Sequence, residues 1–211
     1  MDEKQVGLTD TFQAETAVSQ TGETPAAESA VQPENKKNSP LKEALSWILT
    51  IVLGVAMALF LTQVVIVNAK VPSASMEETV MTGDRLIGNR LAYVTKDPER
   101  FDIIFFKYPD DESRIFIKRI IGLPGETVEV RDGKVYINDE ATPLDDSFIR
   151  EPMQGSFGPY EVPENCYFVM GDNRNDSLDS RFWTNKFVEK DKILGKAMFR
   201  YFPFSDIGKI E

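Results

Sequence analysis

Histidine is absent from all 211 residues, and there is a single cysteine, Cys166. The first absence removes every Ser-His-Asp arrangement, every Cys-His pair and every histidine-ligated metal site. The second removes an internal disulfide and any paired-cysteine metal motif, and leaves Cys166 as a small semi-buried apolar residue with no histidine to activate it. Basic charge is scarce as well: 24 Lys and Arg stand against 34 Asp and Glu, for a formal net charge of −10. No basic run exists to grip phosphates, so nucleic acid is not an expected partner. The stretches 83–84 and 122–125 hold too few glycines for phosphate loops. Hydrolytic chemistry in such a chain must take its base from a carboxylate, a tyrosine or a lysine, and a lysine kept neutral by burial is the documented partner for a serine.

What is present divides into three stretches. Residues 1–43 form an acidic tail. Its first 35 positions carry seven acids (Asp2, Glu3, Asp10, Glu15, Glu23, Glu28, Glu34) against Lys4. Residues 1–40, rich in Thr, Ser, Ala, Glu, Gln and Pro, read as disordered. Within the tail, Ser39-Pro40-Leu41-Lys42 fits an S-x-x-K signature by chance, without the companion motifs that signature needs. Residues 44–69 hold no charge. Their core, 45–67, is about 34 Å long as a helix at 1.5 Å per residue, enough to cross a bilayer. Trp47 suits one interface and Gln63 lies near the other. A cleavable signal peptide ending at Val67-Asn68-Ala69 is the rival reading. Against it, the apolar run exceeds the usual core of about 7–15 residues. Lys36, Lys37 and Lys42 before the span, with only Lys70 after it, predict a cytoplasmic amino end. Residues 70–211 are then an extracytoplasmic domain.

That domain reads as antiparallel β. Strands are expected at 102–108, 114–121, 127–130, 134–137, 167–170 and 196–202, punctuated by Pro- and Gly-containing turns. Asp132-Gly133 between two alternating runs is a strong hairpin signal. Residues 141–161 read as an irregular excursion, and a short helix is expected around 177–182.

Two serines, in Val71-Pro72-Ser73-Ala74-Ser75-Met76, sit where the apolar run meets this domain. Lys118 lies in a strand and shares its face with Phe116 and Ile120. Burial there lowers a lysine pKa by up to several units, which suits a proton acceptor near neutral pH. The plainer reading is an edge-strand lysine that reaches to water, and strand periodicity leaves both open. Arg119, on the other face, reads as an ionic structural residue. The stretch Gly171-Asp172-Asn173-Arg174-Asn175-Asp176-Ser177-Leu178-Asp179-Ser180-Arg181 is either a polar turn held by an ion pair or, less in keeping with its spacing, a calcium loop built on Asp172, Asn175, Asp176 and Asp179.

Five segments follow one another in a single order: Pro72-Ser73-Ala74-Ser75-Met76; Gly83-Asp84-Arg85; Phe101 to Pro109 (FDIIFFKYP); Ile117-Lys118-Arg119-Ile120-Ile121-Gly122-Leu123-Pro124-Gly125; and 171–181. In that order the chain resembles the bacterial type I signal peptidases over roughly residues 45–205, in their compact Gram-positive form. The resemblance implies a mainly β, antiparallel-sheet catalytic domain behind one N-terminal transmembrane helix. The implied activity is serine endopeptidase, removing signal peptides from exported preproteins after small residues of the Ala-x-Ala type. Its partners are those preproteins and the lipid bilayer, and neither a cofactor nor a metal is implied. Carried over by position, Ser75 is the nucleophile, Lys118 the general base and Ser73 the oxyanion hole with the Ser75 backbone N–H. Ser177 orients the lysine, Asp179 and Arg181 hold the loop, and Met76, Val80, Phe116 and Ile117 line the −1 and −3 pockets. The chain departs from the family's pattern with Glu78 where Pro is usual, with Thr184 where Gly follows Trp183, and with a bulkier Phe105 bordering the −3 pocket. A non-catalytic membrane-tethered β domain that binds exported chains is the alternative. A self-cleaving repressor-type Ser/Lys protease fits less well, because of the apolar span and the lack of a DNA-binding segment.

Overall fold

A computed structural model describes residues 39–210. Most of the tail expected to be disordered therefore lies outside the described residues. Helix α1 spans Pro40–Phe60 and continues through a π-helical turn, Leu61–Val65. Together they make one helix, Pro40–Val65, long and apolar enough to cross a membrane, with no residue of its most apolar stretch buried against protein. Residues 40–43 are thus helical rather than part of a disordered tail, and the S-x-x-K match opens this helix. The far end differs more. Residues 66–69, expected to finish the helix, belong instead to strand β1, Ile66–Lys70. The apolar run is continuous across the change, and composition alone cannot separate a buried strand from the end of a helix. The β-branched residues Val64, Val65, Ile66 and Val67 favour the extended form once a partner strand is available. That partner is β2, Arg85–Asn89, paired antiparallel with Val67 opposite Gly88 and Ala69 opposite Leu86.

The remaining strands are β3 Ile103–Tyr108, β4 Asp111–Gly122, β5 Thr127–Arg131, β6 Lys134–Ile137, β7 Phe157–Glu161, β8 Cys166–Met170, β9 Val188–Glu189, β10 Ile193–Phe202 and β11 Gly208–Lys209. They form a larger sheet in the order β1-β2-β10-β3-β4-β8-β9, with β11 on β10, and a smaller sheet β6-β5-β7. Every strand pairing among the described residues is antiparallel. The expected strands are all present within a few residues of their predicted ends. The Asp132-Gly133 turn places Arg131 opposite Lys134, with φ of 49° and 78° at its two central residues, the signs a two-residue hairpin turn requires.

Two expectations are corrected. Part of the 141–161 excursion is a strand, β7, which contains Gly158 and Pro159. It is an edge strand, where a residue without an N–H is tolerated. The short helix expected at 177–182 is instead a turn. The Asp179 carbonyl accepts the N–H groups of Phe182 and Trp183 at 2.8 and 3.2 Å, and the Asp179 side chain is committed to the loop described below.

Strand β4 ties the hydrophobic core together. Ile117 joins Phe105, Ile103, Met76 and Val80 on one side of the sheet; Ile120 joins Ile104, Phe106 and Trp183 on the other; Ile121 packs with Val128, Val130 and Phe168 beneath the small sheet. Gly88 of β2 lets Phe105 lie flat on its backbone: a Cβ there would stand 2.7 Å from the ring and 2.8 Å from the Lys196 carbonyl oxygen. Gly88→Ala is expected to destabilise the domain by about 1–3 kcal/mol through overpacking, read as a lower denaturation midpoint of the solubilised chain.

Candidate active site

Chain 71–84 is a loop closed at its neck. The Val71 N–H donates to the Asp84 carbonyl and the Gly83 N–H to the Val71 carbonyl, both at 2.9 Å. Gly83 sits at φ 96°, a conformation suited to glycine. The Asp84 carboxylate accepts from the Met81 N–H and from Arg200 Nη1, each at 2.9 Å. The Gly83-Asp84 pair is therefore a clasp. Inside the loop Ser73 is extended, and Ala74–Met76 form a single 3-10 turn that carries Ser75, 8% exposed, toward β4.

The segment 171–181 holds this turn by its backbone. The Asn173 N–H donates to the Ser75 carbonyl at 3.2 Å and Asn173 Nδ2 to the Ala74 carbonyl at 3.1 Å. So close an approach requires glycine at 171, where a Cβ would stand 2.2 Å from both the Ser75 carbonyl oxygen and Ser177 Oγ. Two buried ion pairs hold the segment itself. Arg119 reaches Asp172 through Nε at 2.9 Å and Nη2 at 2.7 Å, and Thr79 Oγ1 donates to the same carboxylate at 2.5 Å. Asp179, fully buried, accepts from Arg181 Nε and Nη2 at 2.8 and 2.7 Å and from the Gly171 N–H at 3.0 Å. These arginines take the oxygens of Asp172 and Asp179 that a calcium loop would need, and among the described residues no acidic cluster is arranged to hold a metal.

Lys118 comes from β4, opposite Ile104 of β3. Its amine donates directly to Ser75 Oγ. It is 3% exposed, with the Phe116 ring centroid 5.8 Å from Nζ; that ring in turn stacks on Tyr108 at 4.5 Å and meets Trp183 edge-on. Burial away from water disfavours the ammonium form and pulls its pKa from 10.5 to about 8; Asp179 and Asp172 act in the opposite sense, and Arg181 adds to the lowering. Ser73 Oγ is 3.4 Å from Ser75 Oγ and exposed to the groove. A groove of about 570 Å³ runs from this pair between β1 and β4, with Val67, Ala69 and Val71 on one wall and Ile115, Phe116 and Ile117 on the other.

A family model for signal peptidase, peptidase S26, matches residues 44–202. Signal peptidase I of Leptolyngbya laminosa is 40% identical over 194 residues, 88% of this chain and 91% of its own length. A probable signal peptidase I-2 of Synechocystis sp. is 39% identical over 186 residues, covering 84% of this chain and 82% of that one. Signal peptidase I of Bacillus licheniformis is 33% identical over 187 residues, 84% and 96% of the two chains. The chain belongs to the signal peptidase family, peptidase S26.

Within this member of the family, the residues singled out from the sequence do not all come together. Ser75, Lys118 and Ser73 converge at the head of the groove, and Asp179 with Arg181 forms the expected pair behind them. Ser177 is adjacent and buried, but its Oγ has no hydrogen-bond partner among the described residues; the hydrogen bond to the lysine amine is not made. Of the expected pocket residues, Phe116 and Ile117 line the groove. Met76 and Val80, both 0% exposed, lie in the core beneath it, because the Val80 N–H to Met76 carbonyl bond of 2.8 Å stacks them on the inward side of one turn. The wall formed by β1 and Val71 was missed; the alternation Val67, Ala69, Val71 was its signal, hidden because its first two residues fall in the apolar span assigned to a helix. Glu78 holds φ 88°, which a proline ring, fixed near −65°, cannot adopt. The peptidase thus uses a different backbone there than a Pro-bearing relative can.

Burial of Lys118 opposes folding while the amine is protonated. The folded value lies below the usual 10.5, so the penalty is complete below about pH 8 and is relieved as pH rises from about 8 toward 10.5. At about 1.4 kcal/mol per pH unit it amounts to about 3 kcal/mol. Lys118→Met is therefore expected to be more stable than wild type at pH 7 by up to that amount, with the gap shrinking above pH 8, as read by denaturant titrations across pH.

Proposed function

We propose that this peptidase is an integral membrane protein, anchored by the helix Pro40–Val65, which removes signal peptides from exported preproteins with Ser75 as nucleophile and Lys118 as general base. The observation that carries the reading is the direct contact of a desolvated amine with Ser75 Oγ at the head of an extended groove. The neutral amine takes the Ser75 proton as Oγ bonds to the carbonyl carbon of the residue before the cleavage site. The oxygen that gains the negative charge accepts hydrogen bonds from the Ser73 hydroxyl and the Ser75 backbone N–H. Collapse of this tetrahedral species breaks the C–N bond, and the Lys118 ammonium gives its proton to the departing amine of the mature chain. The Lys118 amine, neutral again, then draws a proton from water, whose oxygen attacks the acyl-serine ester. A second collapse returns the proton to Ser75 Oγ and frees the signal peptide carboxylate. Preproteins bound extended between β1 and β4, with small residues at −1 and −3, are the substrates this groove suits.

Activity should rise with pH through about 8 as Lys118 loses its proton. Purified chain incubated with an Ala-x-Ala preprotein is expected to release the signal peptide. Ser75→Ala and Lys118→Arg should abolish release, since a guanidinium stays charged at any workable pH. Combining Ser75→Ala with Lys118→Ala should cost little more than either alone, because the two act as one unit. A folded Lys118→Arg protein that retained most of the wild-type rate would refute the base assignment, and a wild-type chain that binds but never cuts the preprotein would instead favour a tethered binding domain.

Lys36, Lys37 and Lys42 before the span support an orientation with residues 1–43 in the cytoplasm and residues 70–211 outside it. Protease added to intact spheroplasts is expected to digest the large domain and spare the tail; the opposite protection pattern reverses the orientation.

A further inference from the structure

The segment between β6 and β7 has no counterpart among the residues so far given a role, yet it lies across the back of the Ser75 frame. Phe148 places its ring 4.4 Å from the Arg119 guanidinium carbon. Met153 Sδ accepts from Arg181 Nη1 at 3.0 Å. Both arginines belong to the ion pairs that hold 171–181. The third contact differs in kind. Arg174 is 3% exposed, and its Nη1 donates to the Asp146 carboxylate at 2.8 Å. Its Nε and Nη2 have no partner among the described residues, so Asp146 is the one carboxylate within ion-pair distance of a buried cation.

Arg174 directly follows Asn173, which carries the backbone and side-chain donors that grip Ser75 and Ala74. The Arg174 N–H donates to the Asp172 carbonyl at 2.9 Å and its own carbonyl accepts from Arg181 Nη2 at 2.7 Å. A buried guanidinium deprived of its counter-charge must find another, and Asp172, committed to Arg119, is close enough to interact with it. Competition for Asp172 would move the peptide that holds Ser75. Resting on the dyad reading above, we propose that Asp146 and Arg174 are positioning residues: their ion pair straps the β6–β7 segment to residues 172–174 and thereby sets the placement of Ser75 against Lys118.

The test uses the full chain in detergent, with kcat expressed per titrated active site and an Ala-x-Ala preprotein as substrate. Asp146→Asn leaves the cation stranded. Asp146→Leu combined with Arg174→Met removes both charges, which buried pairs commonly tolerate, and so keeps a folded protein in hand. The double variant is expected to lose about 10–100-fold in kcat with KM within about twofold of wild type, as for a misplaced reacting group. Asp146→Asn should lose at least as much, and Asp146→Glu, which keeps the charge, should recover part of it. Amide exchange at Asn173, whose N–H donates to the Ser75 carbonyl, reads the same placement without substrate and should be faster in the double variant. A folded double variant with kcat within about twofold of wild type, a change confined to KM, or unchanged Asn173 protection overturns the proposal. Failure of the wild-type chain to cleave would count against the dyad reading instead, with the strap still judged by exchange at Asn173.

Discussion

An amine buried against a serine hydroxyl is the constraint on which the rest of this structure depends. Lys118 is held where water does not solvate its charge, which opposes folding and at the same time frees a lone pair near neutral pH. Every other feature of the site serves to keep that unfavourable group in place. The aromatic wall of Phe116, Tyr108 and Trp183 keeps it dry, and neighbouring β3 and β8 hold its strand on both sides. With no histidine in the chain, no other side chain with an ordinary pKa near neutrality was available.

The serine is placed by different means. No regular element carries it; it rides on one 3-10 turn in a loop closed by the Gly83-Asp84 clasp and gripped by Asn173. Backbone bonds close the loop at its neck and its turn, and buried arginines stiffen the segment 171–181 that grips it. Arg119 with Asp172, Arg181 with Asp179 and Arg174 with Asp146 each cross between separate stretches of chain or bind one back on itself. Removing one partner of such a pair typically costs about 3–5 kcal/mol, because a charge is left unmatched in a low-dielectric interior. Breaking any of them is therefore costly, and Ser75 inherits that stiffness. Glycine at 171 belongs to the same design, since the grip on Ser75 needs a backbone with no side chain in the way.

Much of this was legible from residue order. The absence of histidine pointed to lysine, strand alternation put Lys118 on the face of Phe116 and Ile120, and Asp132-Gly133 marked a hairpin that formed in the expected register. What failed, failed for local reasons. The apolar run 45–67 looked like one helix because both a spanning helix and a buried strand are apolar. The stretch 177–182 looked helical because its Asp179 side chain was not known to be engaged elsewhere. Met76 and Val80 were placed in the pockets by resemblance to the family, and a match of position does not say which way this chain's turn faces.

By itself, then, the sequence determined the candidates: which side-chain types are present and which are absent, the antiparallel strands that carry them and the apolar segment that precedes them. These follow from side-chain identity and short-range periodicity, which are properties of a chain before it folds. Only the tertiary structure decided the placements: the amine of Lys118 on Ser75 across 43 positions of chain, the groove wall supplied by β1, the unpartnered Ser177 hydroxyl and the strap that brings Asp146 to Arg174. Each depends on contacts between residues far apart in sequence, and such contacts exist only once the two sheets have packed.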